Sequence, residues 1–442
     1  VSWWPLANTE SRQVRLTTIF QALLGLNFFL SAPMRIEQSD AIASTPRGHD
    51  ASSWPAVAAL GVAAFALVTT EFLPVGLLPQ VAAELRISEG QAGMMVTLPG
   101  LLAAVAAPLT IAFAGRLDRR FLLGGLLALL AISNLIVAVS GSFVFILLGR
   151  VLLGLAVGGF WTIGGSLGPR LQPGPQGARA SALILSGVSL GTVAGVPTGA
   201  LLGEFVGWRW VFGGASAISI AVLGLLLAVL PALPANESSK GLRDIPGLLN
   251  EPKTRLGLTA TVLVFVGQFA AYTYISPFLL QVAGIPSVVL GAVLLGYGVA
   301  GFVGNMLGGW AAGRDLRGAL MATGLVLGLS MLLLVLFGQS VWLAVPLTVI
   351  WGLGFGMLPV AMQSWMFGAA PKKLEAVQAL FVSVAQAAIG AGALLGGQVV
   401  DRLGVAGALW VGAVAALATV AVMALGAREN RVAAVASEQR TT

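Results

Sequence analysis

Glu71 and Arg150 are the residues of this chain best placed to do chemistry. Glu71 lies within Ala-Ala-Phe-Ala-Leu-Val-Thr-Thr-Glu-Phe-Leu-Pro-Val-Gly-Leu-Leu-Pro, residues 63 to 79. A carboxylate buried in a bilayer-spanning run costs several kcal/mol unless it is protonated, paired or facing water. By the span assignment below, Glu71 and Arg150 are the two charges that lie well inside a span. At ~1.5 Å of rise per residue, each sits roughly 10 Å below the same end of its own helix, so a pair is geometrically possible. Desolvation favours a neutral carboxyl, and a nearby guanidinium favours the ionised one. A site balanced between the two can load and release a proton. The plain alternative is a static salt bridge that makes two expensive residues tolerable.

The elements that must hold this pair are membrane helices. Charged residues are 9% of the chain and hydrophobic ones 57%, with a mean hydropathy of +0.93. A soluble domain carries about 25% charge. Twelve apolar segments long enough to span follow Trp54, near 56–80, 91–115, 121–140, 143–168, 178–203, 210–231, 256–281, 287–312, 318–337, 341–368, 375–400 and 405–426. About 20 apolar residues cross a bilayer, so the longer ones must tilt or protrude. Glycines (58) and prolines (21) are scattered through them. Small residues let membrane helices approach closely, and neighbours can satisfy the carbonyls a proline frees.

Lysine and arginine set the topology. With both termini inside, seventeen basic residues fall on the inner side, from Arg47 to Arg440, and three on the outer side, Arg86, Arg209 and Arg402. That bias predicts cytoplasmic termini. It also explains the net charge of +7 without a nucleic-acid partner. The polar stretch 232–255 divides the chain into a six-helix bundle over 54–231 and another over 256–426, with a cytoplasmic tail at 427–442. The Asn236-Glu-Ser sequon is then on the wrong side for glycosylation. Residues 1–53 are an extension outside this plan. A signal peptide fits residues 12–33 by shape. The reading taken here is a start assigned too early, with Met34 as first residue and 1–33 dispensable.

The two halves repeat. Gly115-Arg116 returns as Gly313-Arg314, and Gly154-Leu155-x-x-Gly158 as Gly352-Leu353-x-x-Gly356, both at an offset of 198. Gly199-Ala-Leu-Leu-Gly203 returns as Gly392-Ala-Leu-Leu-Gly396 at a slightly different offset. Two matches at one offset and one place in the span order argue for a duplicated six-helix unit.

Three further motifs stand out. The loop after span two reads Gly115-Arg-Leu-Asp118-Arg119-Arg120. Span four carries Arg150-x-x-x-Gly154-x-x-x-Gly158-Gly-Phe160-Trp161. Span five carries Gly187, Gly191 and Gly195, then Val-Pro197-Thr-Gly199, with Gly207-Trp-Arg-Trp-Val-Phe212 following. With Thr69-Thr70-Glu71-Phe-Leu-Pro-Val-Gly-Leu-Leu-Pro79, these resemble the major facilitator superfamily over about residues 54–426. The resemblance is to its twelve-span drug:proton antiporters, in particular bacterial sugar-efflux and purine-nucleoside-efflux permeases. It implies an all-α membrane fold, two pseudo-symmetric six-helix bundles around a central cavity, in the bacterial inner membrane. It implies proton-driven export of a sugar, nucleoside or drug-like solute, with Glu71 as the coupling acid and spans one and four lining the cavity. The family ties the span-five glycine motif to antiport. The 115–120 loop departs from the family's longer pattern, which has a glycine before its last basic pair.

Each motif also has a plainer reading. Asp118 and its arginines could close the cytoplasmic side by pairing between helix ends, or be topogenic charge. The span-five glycines read as tight packing, and as the hinge on which the halves rock. Candidate solute contacts are the polar and aromatic residues inside apolar spans: Thr69, Thr70, Phe160, Trp161, Gln268, Tyr272, Tyr274, Asn305, Gln363, Trp365 and Gln386. Any one of them can be ordinary packing or an interfacial anchor. As a set they could stack and hydrogen-bond a sugar or nucleoside.

Other functions fit worse. The nearest phosphate-binding loop, Gly247-Leu-Leu-Asn-Glu-Pro-Lys-Thr254, has Pro252 where a glycine N–H is needed. The spans hold no His, no Cys and one acid away from their ends, which leaves neither an enzyme's convergent site nor a metal site. No loop is long enough for a sensor's soluble output domain. A uniporter or importer on the same fold stays open. The expectation is a monomeric transporter with a small-molecule substrate, the lipid bilayer as its surroundings, no cofactor, and the proton gradient as driving force.

Overall fold

The computed structural model describes residues 54–113, 117–164, 167–172, 176–233, 245–371 and 373–441. The expectations for residues 1–53, for Gly115 and for residues 234–244 of the linker lie outside the described residues. Twelve long helices carry the fold: α1 (Trp54–Leu85), α2 (Glu89–Phe113), α3 (Arg119–Val139), α4 (Phe143–Gly164), α5 (Gln176–Val206), α6 (Trp208–Val229), α7 (Pro252–Tyr272), α8 (Ser287–Arg314), α9 (Leu316–Phe337), α10 (Val341–Ala369), α11 (Leu374–Leu403) and α12 (Val405–Thr441). Each contains a stretch apolar and long enough to cross a membrane. The described residues contain no strand.

Local chemistry fixes where these helices stop and turn. Asp118 caps α3, its Oδ1 accepting from the Arg120 N–H at 2.9 Å. Asp315 caps α9 in the same way, accepting from the Arg317 N–H at 3.1 Å. Between α5 and α6 a single residue, Gly207, makes the turn at φ +81°, and Gly404 does the same between α11 and α12. A side chain would meet nothing there, so glycine is needed for the backbone conformation alone.

Span seven differs from the sequence expectation of one helix over 256–281. α7 ends at Tyr272, and a short helix, Ile275–Gln281, follows. The cause is Pro277. It lacks the N–H that would bond the Thr273 carbonyl, and its ring crowds that carbonyl.

Packing repeats the sequence duplication. In the first half α1 packs on α5 and α6, α4 on α2 and α3, and α3 on α6. In the second half α7 packs on α11 and α12, α10 on α8 and α9, and α9 on α12. The repeated glycines explain the match residue by residue. Gly154 and Gly158 of α4 press against the Pro99 and Ala103 backbone of α2. At an offset of 198 throughout, Gly352 and Gly356 of α10 press against the Tyr297 and Gly301 backbone of α8. The halves meet along α2 with α11 and along α5 with α8.

Candidate functional site

Glu71 and Arg150 are both buried, with 5% and 0% exposure. The Arg150 guanidinium reaches α1 at Glu71, but through the backbone. Its Nη2 donates to the Glu71 carbonyl at 3.1 Å, its Nη1 to the Thr70 carbonyl at 3.3 Å, and its Nε to the Met95 carbonyl of α2 at 2.7 Å. Among the described residues, no ion pair within 4.0 Å joins this guanidinium to the Glu71 carboxylate. The static salt bridge weighed above is therefore not what holds Arg150.

Two prolines explain the arrangement. In a helix, residue i donates to the carbonyl of i−4. Pro74 cannot donate to Thr70, and Pro99 cannot donate to Met95. Arg150 thus fills the carbonyls that two helix prolines leave empty, one on each of two helices. A planar fork of five N–H groups suits that task better than a lysine. The Thr70 hydroxyl is engaged separately, accepting from Asn134 Nδ2 at 3.2 Å. The Thr69 hydroxyl is buried without a partner.

Freed from the guanidinium, the Glu71 carboxylate faces the other half. Its Oε1 accepts from Gln386 Nε2 of α11 at 3.4 Å. The Gln386 Oε1 is buried without a partner.

A second location lies between α5, α8 and α10. It is a cavity of about 210 Å³ lined by apolar side chains with Thr192, Tyr297, Phe355, Asn305 and Gln363 among them. None of its lining residues is charged. Behind it Tyr272 stacks on Tyr297 at 5.2 Å and on Phe355 at 5.4 Å between ring centres. Gln268 donates to the Tyr297 hydroxyl at 3.0 Å and accepts from Trp351 Nε1 at 2.8 Å.

The sequence candidates therefore fall in several places. Asn305 and Gln363 line the cavity, and Gln268 and Tyr272 stand behind it. Thr69, Thr70 and Gln386 lie around Glu71. Phe160 is fully buried in α4, with Trp161 edge-on at 5.6 Å. Tyr274 is wedged against Gly93 and Gly397, its hydroxyl donating to the Ala393 carbonyl at 3.0 Å. Trp365 donates to the Lys253 carbonyl at 3.1 Å near the linker. Sequence reasoning missed Thr192, Tyr297, Trp351, Phe355 and Ser276. Ser276 had a readable signal. Pro79 leaves the Val75 carbonyl free, and the Ser276 hydroxyl donates to it across the halves at 2.8 Å.

Two motifs can be placed on the structure. The α5 ladder is not the surface on which the halves meet. Gly187, Gly191, Gly195 and Gly199 face Gly61, Phe65, Thr69 and Leu73 of α1, inside the first half. Each is one turn above the last on both helices, a parallel i, i+4 seam in which a Cβ would collide or crowd. The other side of α5 meets α8, where Gly298 packs on the Val193 carbonyl that Pro197 leaves free. Asp118, in turn, pairs within its own half. Besides capping α3 it accepts from the Leu233 N–H at 3.0 Å, and the Arg119 N–H donates to the Leu233 carbonyl at 3.0 Å. Arg120 Nη2 donates to the Leu227 carbonyl. This cluster clips the start of the linker to α3.

Comparison with known proteins agrees with this architecture. The family model described as Major Facilitator Superfamily matches residues 60–387 and 258–440. The purine ribonucleoside efflux pump NepI of Escherichia coli O127:H6 is 37% identical over 361 residues, 81% of this chain and 91% of the relative. The transcription regulatory protein OpdE of Pseudomonas aeruginosa is 36% identical over 359 residues, 80% of this chain and 89% of the relative. Among solved structures, an inward-facing, occupied bacterial homologue of the human lysosomal transporter Spinster aligns with a TM-score of 0.67 at 17% identity. That alignment covers 88% of this chain and 98% of the other. The chain is thus a multi-pass membrane transport protein, not an enzyme, and it belongs to the major facilitator superfamily.

Proposed function

We propose that this chain exports a small uncharged organic solute in exchange for protons, by alternating access. In this reading it works as a monomer in the bacterial inner membrane, with both termini in the cytoplasm. The observation that carries the proposal is the contact between Glu71 and Gln386. It places the one mid-span acid at the joint between halves, held there by a single weak hydrogen bond. Taking up a proton changes what the carboxyl can accept, so protonation is felt at the surface that alternating access must open and close.

The cavity supports the solute half of the reading. Three rings, two amides and two hydroxyls with no charge suit a flat, neutral, hydrogen-bonding molecule. At about 210 Å³ it is smaller than the roughly 300–1,000 Å³ typical of drug-sized ligands, which favours one small solute. The E. coli relative is named for purine ribonucleosides, which meet that description. A nucleoside is therefore the first solute to test, with sugars and drug-like compounds next. The P. aeruginosa relative is named for transcriptional regulation, but twelve spans and a solute cavity favour transport here.

Direction rests on the name of the efflux relative and on the α5 motif, since the fold serves importers and uniporters too. Everted membrane vesicles decide it. Imposing an inside-acid gradient should drive nucleoside accumulation that collapses when the gradient is discharged. Accumulation that ignores the gradient would leave a uniporter. Proton-driven accumulation in right-side-out vesicles alone would make the protein an importer.

A further inference from the structure

Trp351, Gln268 and Tyr297 form a buried chain whose polarity is forced from one end. All three are buried, at 0%, 0% and 2% exposure. The indole Nε1–H of Trp351 can only donate. It lies 2.8 Å from one end of the Gln268 amide, which must therefore be the oxygen. The other end is then the NH₂ group, and at 3.0 Å it donates to the Tyr297 hydroxyl oxygen. Tyr297 is left with its own hydroxyl hydrogen, which it cannot give back to Gln268. No acceptor for that hydrogen is present among the described residues. A buried tyrosine hydroxyl ordinarily finds a partner, because an unmet donor away from water costs about 1–3 kcal/mol.

Tyr297 also lines the cavity between α5, α8 and α10. Its ring cannot move to relieve the unmet donor, because Tyr272 stacks on it at 5.2 Å and Trp351 meets it edge-on at 5.7 Å. We propose that Tyr297 is the specificity-determining donor of this cavity, held by Trp351 and Gln268 to read a hydrogen-bond acceptor on the solute. Trp351 and Gln268 are positioning residues that never touch the solute. The inference rests on the reading of this cavity as the solute site. A site built around a directed donor discriminates against analogues that lack the acceptor far more sharply than an apolar wall does.

The test is equilibrium binding to the full-length protein in nanodiscs. The probes are adenosine and its 1-, 3- and 7-deaza and 5′-deoxy analogues, each missing one acceptor. The wild type should bind one of these about tenfold more weakly than adenosine, a difference of about 1.4 kcal/mol. Tyr297→Phe should bind adenosine about tenfold more weakly and bring that analogue within about twofold of it. Tyr297→Phe also strips the Gln268 amide of its acceptor, but that loss weakens all ligands alike, so the ratio between analogues is the readout. Trp351→Phe frees Gln268 to flip and take the hydroxyl hydrogen, so the discrimination should shrink without vanishing. Undiminished discrimination in Tyr297→Phe would overturn the assignment. Thr192→Trp, which fills the cavity from α5, separates the two levels of the argument. If it abolishes adenosine binding while Tyr297→Phe discriminates as the wild type does, the cavity stands and the donor falls. If it binds adenosine normally, the cavity reading falls and takes this inference with it.

Discussion

A carboxylate and a guanidinium at equal depth suggest an ion pair, yet Arg150 is held mainly by backbone carbonyls. Depth alone made their contact possible, and the family resemblance put spans one and four side by side. The mode of contact was legible too, had the prolines been counted back four residues to Thr70 and Met95. This separates two roles that a salt bridge would have merged. Glu71→Gln keeps the shape and removes the titration. A well-expressed Glu71→Gln protein should lose gradient-driven efflux in proteoliposomes while solute-for-solute exchange continues. Full gradient-driven efflux by this variant would end the coupling proposal. Arg150→Lys keeps the charge but loses the fork, and should destabilise the fold by about 2 kcal/mol, the scale of one charged hydrogen bond. Pro74→Ala restores the N–H for Thr70, so it should offset part of that loss. Stabilities from thermal unfolding should be non-additive by about 0.5 kcal/mol or more in the double variant. Strict additivity would mean that Arg150 does not serve the carbonyl that Pro74 leaves free.

At the scale of elements, the duplicated glycines foretold a repeated six-helix unit with close-packed faces at matching places, because a Gly-x-x-x-Gly face has little other use in lipid. The tight packing read from the α5 ladder is present, within the first half. Spacing shows that a helix has a close-packed face, but not which neighbour takes it, and α1 takes it here. The break in span seven was hidden by hydropathy, which stays high through Ile275–Gln281 although Pro277 interrupts the helix. The break matters because it presents Ser276 to the Val75 carbonyl on α1. This bond ties the halves at the end away from the linker, so it should favour the form closed at that end. Ser276→Ala forfeits about 1 kcal/mol of that preference, or roughly a fivefold shift in population. A cysteine at Thr97, which is 2% exposed where α2 meets Gly390 of α11, should then react with a membrane-impermeant maleimide about five times faster than in the Ser276 parent. An unchanged rate would show that this bond carries no part of the closure.

At the scale of the whole molecule, the described residues tie the halves together at one end. Ser88 and the Gly90 N–H donate to the Asp401 carboxylate at 2.9 and 3.1 Å, Gln281 to Glu89 at 2.6 Å, and Ser287 to Glu204 at 2.9 Å. All of these cross between halves at the end away from the linker. Near the linker, Asp118 bonds Leu233 and Gln363 bonds Gln378, each within its own half. Apolar run lengths, the polar break and the glycine repeat foretold twelve spans in two halves, because burial in lipid constrains every residue alike. They could not foretell which end would be tied, since that depends on a few side chains meeting across a gap of more than 300 residues in sequence. If alternating access operates, the seam at Ser88 and Asp401 must open in each cycle. The chain has no native cysteine, so a pair can be placed there without interference. Ser88→Cys with Asp401→Cys should form a disulfide on mild oxidation, because the parent side chains lie 2.9 Å apart. The oxidised protein should bind solute but stop transporting, and reductant should restore transport to the level of the unoxidised double variant. On the proposed topology, only reagents reaching the outer face should act on these two positions, while a lone cysteine at Lys240 should be labelled only from the cytoplasm. Labelling of position 240 from outside intact cells would invert the orientation. Undiminished transport by the fully crosslinked protein would mean that this seam stays shut throughout the cycle, and that the solute leaves by another route.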